Sequence, residues 1–244
     1  MFGRIPFLHP PAMPDPSAPH ETRANSALRP VVFGGNDGLV SNLALVMGVA
    51  GANPAPGIIV LAGIAGLLAG AFSMGVGEYI SVKSQQELLA YQLAFQRHQL
   101  REASDQERQI LAGIYRDRGF TAAEAETFVT RVFADPEAAT RLLIFEEVGL
   151  DARSIGSPWQ AGIGSFFAFT LGALVPLIPY LLASGGLAFG LSLGLSLAAL
   201  FVLGVGVSLL TRRSPLLTGL RQLALGGVAA AVTYGVGTLI GVQA

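Results

Sequence analysis

The sequence has no cysteine, and it has few charges for its length. Without cysteine, the chain can form neither disulfides nor thiolate metal sites. Only 13% of its 244 residues are charged, whereas about 25% are charged in an ordinary soluble domain. A soluble protein of this size needs more charge to cover its surface. The composition, which is 52% hydrophobic, therefore indicates a membrane protein.

Lysine and arginine are absent from three long stretches, 30–82, 154–211 and 222–244. A helix needs about 20 mostly apolar residues to cross the hydrocarbon core of a bilayer. Short turns in and beside these stretches define five predicted transmembrane helices, of which the last begins before the stretch and includes Arg221: Val31–Ala52, Ile58–Val82, Trp159–Ala183, Leu187–Leu210 and Leu216–Val242. The predicted fold is all-α, a polytopic membrane protein with a small cytoplasmic helical bundle inserted between transmembrane helices 2 and 3.

Four segments follow from this division. We expect a disordered, proline-rich arm over 1–30, helices 1 and 2 over 31–83, the cytoplasmic domain over 84–158, and helices 3 to 5 over 159–244. Every Lys and Arg falls in the arm, in the insert or near the loop between helices 4 and 5. By the positive-inside rule, the N-terminus and the insert are cytoplasmic and the C-terminus is outside. The arm has no secretory h-region, and this fits a bacterial plasma membrane.

Signatures of catalysis and of nucleic-acid binding are also missing. The sequence has no P-loop, no dinucleotide fingerprint, no His-Glu-x-x-His helix and no basic stripe. We therefore predict that the chain is not an enzyme, that it binds no nucleic acid and no permanent cofactor, and that the lipid bilayer surrounds it.

The insert shows clear helix signals. The second span continues without a helix breaker to about Ala103, and Ser104 with Glu107 forms a capping-box pattern. Thr121 with Glu124 forms another, and an Asp-Pro pair at 135–136 opens a last helix. The many carboxylates on these helices could hold metal ions. A charge run on a short soluble bundle is more often a solvated face.

Asp37 is the most informative residue in the membrane part. A carboxylate within a span costs about 2.5–3.5 kcal/mol, so such residues usually face a cavity, an ion path or a partner. Asp37 could alternatively lie at the interface and cap a helix after the Gly-Gly-Asn that precedes it.

Met74 and Glu78 are four residues apart on the second span and share a helix face. A thioether beside a carboxylate suits a borderline divalent transition metal better than Ca²⁺ or Mg²⁺. A lone Met in a span is more often a packing residue. Gly66 and Gly70 continue the same stripe and permit a close helix approach, which could serve a dimer seam.

Several segments match one known family in chain order. They are Val-Phe-Gly-Gly-Asn-Asp-Gly-Leu-Val at 32–40, Gly-Ala-Phe-Ser-Met-Gly-Val-Gly-Glu-Tyr at 70–79, Ile-Tyr-x-x-Arg-Gly at 114–119, Asp-Pro at 135–136, Glu-Glu-Val-Gly-Leu at 146–150, and Gly-Ala-Leu-Val-Pro-Leu-Ile-Pro at 172–179. Together they resemble the vacuolar iron transporter family. The resemblance implies a homodimer that exports Fe²⁺, and also Mn²⁺, from the cytoplasm in exchange for protons. It places Asp37 and Met74 as path ligands, and it implies a metal-binding role for the insert.

The chain departs from the family pattern in both regions. Gly66 stands where the family often has a carboxylate. In the insert, only Glu107 and Glu147 match the family's acidic metal ligands, while Gln96, Gln99, Ile110, Leu143 and Ile144 replace the others. We therefore expect the insert to bind transition metal weakly and to serve as a dimerising cap. These losses also motivate an alternative, a transport-inactive membrane scaffold that keeps the family fold.

Overall fold

The computed structural model describes residues 23–102, 104–148, 156–211 and 213–241, and no strand occurs in those ranges. This part of the chain forms eight helices: α1 (Arg23–Gly51), α2 (Pro56–Glu102), α3 (Ser104–Asp117), α4 (Ala122–Val132), α5 (Pro136–Val148), α6 (Pro158–Leu182), α7 (Gly185–Thr211) and α8 (Pro215–Gly241). Five of them, α1, α2, α6, α7 and α8, are long and apolar enough to cross a membrane. The predicted all-α class with five transmembrane helices is confirmed.

The start of α1 corrects one prediction. The arm was expected to reach residue 30, but residues 23–30 are already helical and Pro30 lies inside the helix. Pro30 is buried, and its carbonyl oxygen accepts a hydrogen bond of 3.3 Å from the Ser165 hydroxyl of α6. Packing against α6 thus outweighs the backbone hydrogen bond that a proline removes. The rest of the predicted arm, 1–22, lies outside the described residues.

Helix α2 has 47 residues without a break, and it continues past the predicted span to Glu102. At 1.5 Å per residue its length is about 70 Å, more than twice the thickness of the hydrocarbon core. One end of α2 therefore belongs to the membrane bundle and the other to the insert. We call the end of the bundle from which α2 emerges the insert end.

Helix α6 holds the membrane bundle together, because it packs along both α1 and α2. The approach to α1 is close at two glycines. A side chain at Gly38 would collide with the backbone of Phe169, and one at Gly172 would collide with the backbone of Gly35. Helix α8 packs on another side of α1, and α7 packs on α8. The close contact of α1 with α6 brings the ring of Phe169 against α2.

Two apolar clusters fill the membrane bundle. One centres on Leu39, Leu43, Val46 and Met47 of α1, all nearly inaccessible, and includes Leu200 of α7. The other joins Leu67 and Ala71 of α2 to Phe169, Ala173 and Leu177 of α6. Neither cluster includes Asp37 of α1 or Glu78 of α2.

The insert consists of α3, α4 and α5 packed beside the free end of α2. Its core contains Leu111, Val129 and Leu143, with Leu100 of α2 at its edge. The predicted capping box at Thr121 is formed, since its hydroxyl accepts from the N–H of Glu124 and the Glu124 carboxylate accepts from the N–H of Thr121. Helix α5 begins at Pro136 as expected, with Asp135 accepting the N–H of Glu137 at 2.9 Å.

Candidate metal path

Helix α1 forms one wall of a cavity at the insert end. Phe33, Asp37, Ser41 and Leu45 line it, and they are spaced four residues apart, so they lie on one helix face. Asn42 lies beside this stripe and also lines the cavity. Asp37 is exposed at the open side. This face combines a carboxylate, a hydroxyl and an amide within an otherwise apolar helix.

Helix α2 forms the opposite wall with a face of small and polar residues. The lining residues of α2 are Gly66, Gly70, Ser73, Met74, Gly77, Glu78 and Ser81. Their spacing of three and four residues keeps them on one side of the helix. The glycines and serines leave room between the helices, and only Met74 and Glu78 project long side chains from this stripe.

Between the two walls lies a cavity of about 550 Å³, which we call the α1–α2 cavity. The three side chains predicted for the path, Asp37, Met74 and Glu78, all line it. Phe169 of α6 closes its inner side, and the ring packs so tightly on Gly70 that a side chain there would collide with it. The fold thus brings the three predicted residues to one place.

The lining residues are ordered along the cavity because α1 and α2 are connected by a short turn and run antiparallel. Glu78 lies nearest the insert end, Met74 one turn deeper, and Gly66 about 12 Å deeper still at 1.5 Å per residue. On α1, Asp37 is followed by Asn42 about 7.5 Å farther from the insert end. An ion entering at the insert end would meet a carboxylate first and the amide last.

Two polar contacts fix α1 in place around Asp37. Gln222 of α8 donates a hydrogen bond to the side-chain oxygen of Asn36, the neighbour of Asp37. Asn42 donates its Nδ2 to the carbonyl oxygen of Ala173 on α6 at 2.7 Å. The sequence interpretation did not single out Asn42. Its signal was available, because an amide within an apolar span is itself unusual.

Gly66 and Gly70 allow α2 to pack closely on other helices of the same chain. A side chain at Gly66 would collide with Leu45 of α1, and one at Gly70 would collide with Phe169 of α6. Both glycines also line the α1–α2 cavity. Their smallness therefore explains the packing of α2 on its own neighbours, and the predicted dimer seam gains no support from them.

The donor types in the α1–α2 cavity suit a divalent transition metal. Carboxylate and amide oxygens are hard ligands, and a thioether is a soft one, so a mixed set favours ions between the two extremes. The two carboxylates can hold either a metal ion or protons. The described residues that line the cavity include no His.

Comparison with known proteins places the chain in a family. The model of the VIT family matches residues 28–238, which is most of the sequence. The chain belongs to the VIT family. It is 31% identical over 213 residues to the vacuolar iron transporter 1 of Eucalyptus grandis, covering 87% of this chain and 86% of that protein. It is 29% identical to the vacuolar iron transporter of Toxoplasma gondii, over 91% of this chain and 76% of that one.

Membership of the VIT family confirms two predictions. The chain is not an enzyme, and the five apolar helices are those of a multi-pass membrane protein. A third relative, the vacuolar iron transporter 1 of Arabidopsis thaliana, is 29% identical over 86% of this chain and 85% of that protein.

The insert is the second place where the resemblance to the VIT family indicated metal ligands. Glu107, one of the two acidic matches, is buried, and its Oε2 accepts a hydrogen bond of 3.3 Å from Gln96 of α2. Leu143 and Ile144 are buried in the core. Glu147 lies in the last turn of α5, and its side chain is outside the described part of the structure. Among the described residues, no three His, Asp or Glu side chains come together as a metal site.

Other carboxylates of the insert are paired within the chain. Glu137 of α5 accepts two hydrogen bonds from Arg97 of α2, at 2.8 and 3.1 Å, and this lowers the pKa of Glu137. Glu146 accepts from Arg118 and, at 3.1 Å, from the hydroxyl of Tyr115. Burial first, and then the charge of Glu146 and this hydrogen bond, raise the pKa of Tyr115 to about 12. These carboxylates stabilise the insert through contacts that need no metal.

Proposed function

We propose that this chain transports divalent transition metal ions, Fe²⁺ and also Mn²⁺, out of the cytoplasm in exchange for protons. The observation that carries the proposal is the α1–α2 cavity, in which Asp37, Met74 and Glu78 converge from two membrane helices. The relatives in the VIT family are named as iron transporters and match over most of their length. The metal is the transported substrate in this proposal, and no permanently bound cofactor takes part.

Each of the three side chains has a role in the proposal. Asp37 binds the ion and accepts a proton when the ion leaves. Met74 supplies a thioether that favours a transition metal over the far more abundant Mg²⁺, which prefers oxygen ligands. Glu78, nearest the insert end, binds the ion as it enters and takes part in proton exchange through its carboxylate. A carboxylate suits exchange because protons and metal ions compete for the same oxygen atoms.

The open side of the cavity supports a homodimer. Asp37 is exposed there, next to Phe33, which is 60% exposed. A carboxylate facing hydrocarbon is unfavourable, so membrane proteins place such groups toward a bundle interior or an aqueous path. A second copy packed on this side would enclose the path between the two chains.

The charge distribution supports an orientation with the N-terminus and the insert in the cytoplasm and the C-terminus outside. The described part of the insert carries Lys and Arg, whereas the α1–α2 turn and the α6–α7 turn carry none. The insert end of the cavity would then open to the cytoplasm, the side from which an exporter loads. We place the protein in a bacterial plasma membrane, although the relatives carry the word vacuolar in their names.

The test is transport by the purified protein in proteoliposomes. A metal-sensitive dye inside the vesicles reports Fe²⁺ or Mn²⁺ entry, and a pH dye reports proton movement in the opposite direction. We expect metal-dependent proton flux for the wild type and none for Asp37→Asn. Wild-type protein that moves neither metal nor protons would contradict the proposal.

One observation favours a second candidate, a membrane scaffold that has lost transport. Among the described residues of the insert, Glu107, Glu137 and Glu146 are engaged by partners from the same chain. An insert of this kind could present a surface to another protein without responding to metal. The same wild-type flux measurement separates the two candidates, because a scaffold would show no flux.

A further inference from the structure

We propose that the side-chain carbonyl of Asn42 is a second binding station for the metal ion, and that Leu45 covers this station in the present conformation. The inference deepens the proposed function, on which it rests for the class of ion. It starts from Asn42 Oδ1, a buried oxygen atom with no hydrogen-bond donor among the described residues.

Asn42 is 2% exposed, and its amide orientation is fixed by its own hydrogen bond. Nδ2 donates to the carbonyl oxygen of Ala173 at 2.7 Å. That contact turns Oδ1 the other way, toward α2, where a Cβ added to Gly66 would lie 3.1 Å from it. Within the described part of the chain, Oδ1 has no hydrogen-bond donor. Buried polar atoms without partners are rare in proteins because leaving them unpaired is unfavourable.

The position of Asn42 indicates what the missing partner is. Asn42 and Gly66 both line the α1–α2 cavity, at the end farthest from Glu78. An amide oxygen is a hard, neutral ligand for divalent cations. An ion leaving Asp37 for the far side would come next to Asn42. A neutral oxygen binds a divalent ion more weakly than a carboxylate does. The station is therefore suited to releasing the ion, and a path made of successive sites requires such release.

Leu45 explains why the station is closed here. The Cδ2 atom of Leu45 occupies the space that a side chain at Gly66 would take, next to Asn42 Oδ1. Leu45 also lines the cavity and is 37% exposed, so its side chain has room to change rotamer. Rotation of Leu45 would open the carbonyl to the cavity, and ion binding would then satisfy it.

The test measures metal binding to the purified full-length chain in detergent, with Mn²⁺ and Co²⁺ as probes. Asn42→Leu keeps the branching of the side chain and removes the oxygen, together with the hydrogen bond from Nδ2 to Ala173. We expect it to weaken Mn²⁺ binding about tenfold and Co²⁺ binding less, because Mn²⁺ depends more on oxygen ligands. Leu45→Ala removes the cover and should tighten Mn²⁺ binding severalfold. This gain should disappear in the Asn42→Leu background.

Matched controls separate a ligand from a packing residue. Ser196 and Tyr180 also have a buried side-chain oxygen with no partner among the described residues, but neither lines the cavity. Ser196→Ala and Tyr180→Phe should leave binding of both metals within twofold of the wild type. Leu68, exposed on α2 and outside the cavity, provides the control Leu68→Ala for the cover.

Three outcomes overturn the inference: equal weakening of both metals by Asn42→Leu, no change in either, or a Leu45→Ala gain that survives in the double variant. Should Asn42→Leu fail to fold, Asn42→Asp decides instead. That variant keeps an oxygen and adds a charge, so it should tighten Mn²⁺ binding, and unchanged affinity contradicts the proposal. A wild type that binds with this pattern but shows no flux refutes only the transport function. One that binds neither metal refutes both.

Discussion

Asp37 of α1 and Met74 of α2 face each other across one cavity of about 550 Å³, inside a part of the chain where almost every other side chain is apolar or small. Asp37 belongs to neither of the apolar clusters that hold the helices together. Met74 contacts the α2–α6 cluster only at its edge. Their chemistry can therefore be changed with little effect on the fold, and this makes the proposed path open to direct tests.

Asp37→Asn should abolish metal-dependent proton flux. The amide keeps the shape of the side chain but can neither carry a negative charge nor exchange a proton. Flux is measured in proteoliposomes, with size-exclusion profiles showing that the variant folds. Glu126→Gln, on an exposed helix of the insert, removes the same charge far from the cavity and should transport like the wild type. Unchanged flux in Asp37→Asn would remove Asp37 from the mechanism.

Met74→Leu should weaken the binding of Fe²⁺ or Co²⁺ by roughly tenfold or more, because loss of one ligand removes a bond to the ion that the packing cannot replace. The substitution conserves volume, so the contacts with α6 remain. Metal titration of the full chain gives the affinities. Met47→Leu is the matched control, since Met47 is buried on α1 and does not line the cavity. Equal effects of the two substitutions would mean that the thioether is a packing group.

Glu107→Gln should leave the stoichiometry and affinity of metal binding by the full chain unchanged. Its carboxylate is buried and hydrogen-bonded to Gln96, and a ligand engaged in this way is a weak competitor for an ion. Iron titration of the variant and the wild type checks this. Loss of a tight site in Glu107→Gln would show that the insert keeps a metal site, and would contradict the expectation that it is mainly a cap.

Glu146→Gln should destabilise the insert by about 1–3 kcal/mol, the usual effect of losing hydrogen bonds to a charged group. The side chain of Glu146 is only 3% exposed and pairs with Arg118, so neutralising it leaves the guanidinium without its counter-charge. Hydrogen exchange of the α3 and α5 amides in the full chain measures the free energy of local opening. Glu126→Gln again serves as control, because Glu126 is exposed.

Acid should loosen α4 through its capping box. Hydrogen bonds from the Thr121 hydroxyl, and then from its backbone N–H, lower the pKa of Glu124 from the ordinary 4.5. A carboxylate whose pKa is lower in the folded state stabilises it fully above its unfolded pKa, and this contribution is lost as the pH falls through the folded pKa. Once the observed rates are corrected for the slower intrinsic exchange in acid, the free energy of local opening of α4 should therefore fall more between pH 6 and pH 3 in the wild type than in Glu124→Gln. Identical profiles would contradict this.

Several features of the fold were readable from the sequence because they depend on local rules. The absence of positive charge marked the five spans, and the lack of a helix breaker after Val82 predicted that α2 would leave the membrane as one helix. Asp37 and Glu78 stood out because carboxylates are rare in apolar helices, and Met74 because it shares a helix face with Glu78, four residues away. All three line the same cavity in the structure.

Other features depend on contacts between distant residues, which no local pattern encodes. The side-chain oxygen of Asn42 faces α2 because the amide Nδ2 donates its hydrogen bond to the carbonyl oxygen of Ala173, far along the chain. Helix α1 begins at Arg23, where local composition indicated disorder, and its Pro30 accepts a hydrogen bond from Ser165 of the distant α6. The pairing of Glu107 with Gln96 likewise required the relative positions of α2 and α3.

The unbroken length of α2 has a mechanical consequence. Glu78 in the cavity and Gln96 beside Glu107 lie on the same rod, and 18 residues at 1.5 Å each place them about 27 Å apart along its axis. No single ion can contact both, so the insert and the path cannot share a site. The insert and the path are nevertheless connected mechanically, because both include part of α2. A force that turns or tilts the free end of α2 moves Met74 and Glu78 relative to Asp37, because the described helix contains no hinge between them.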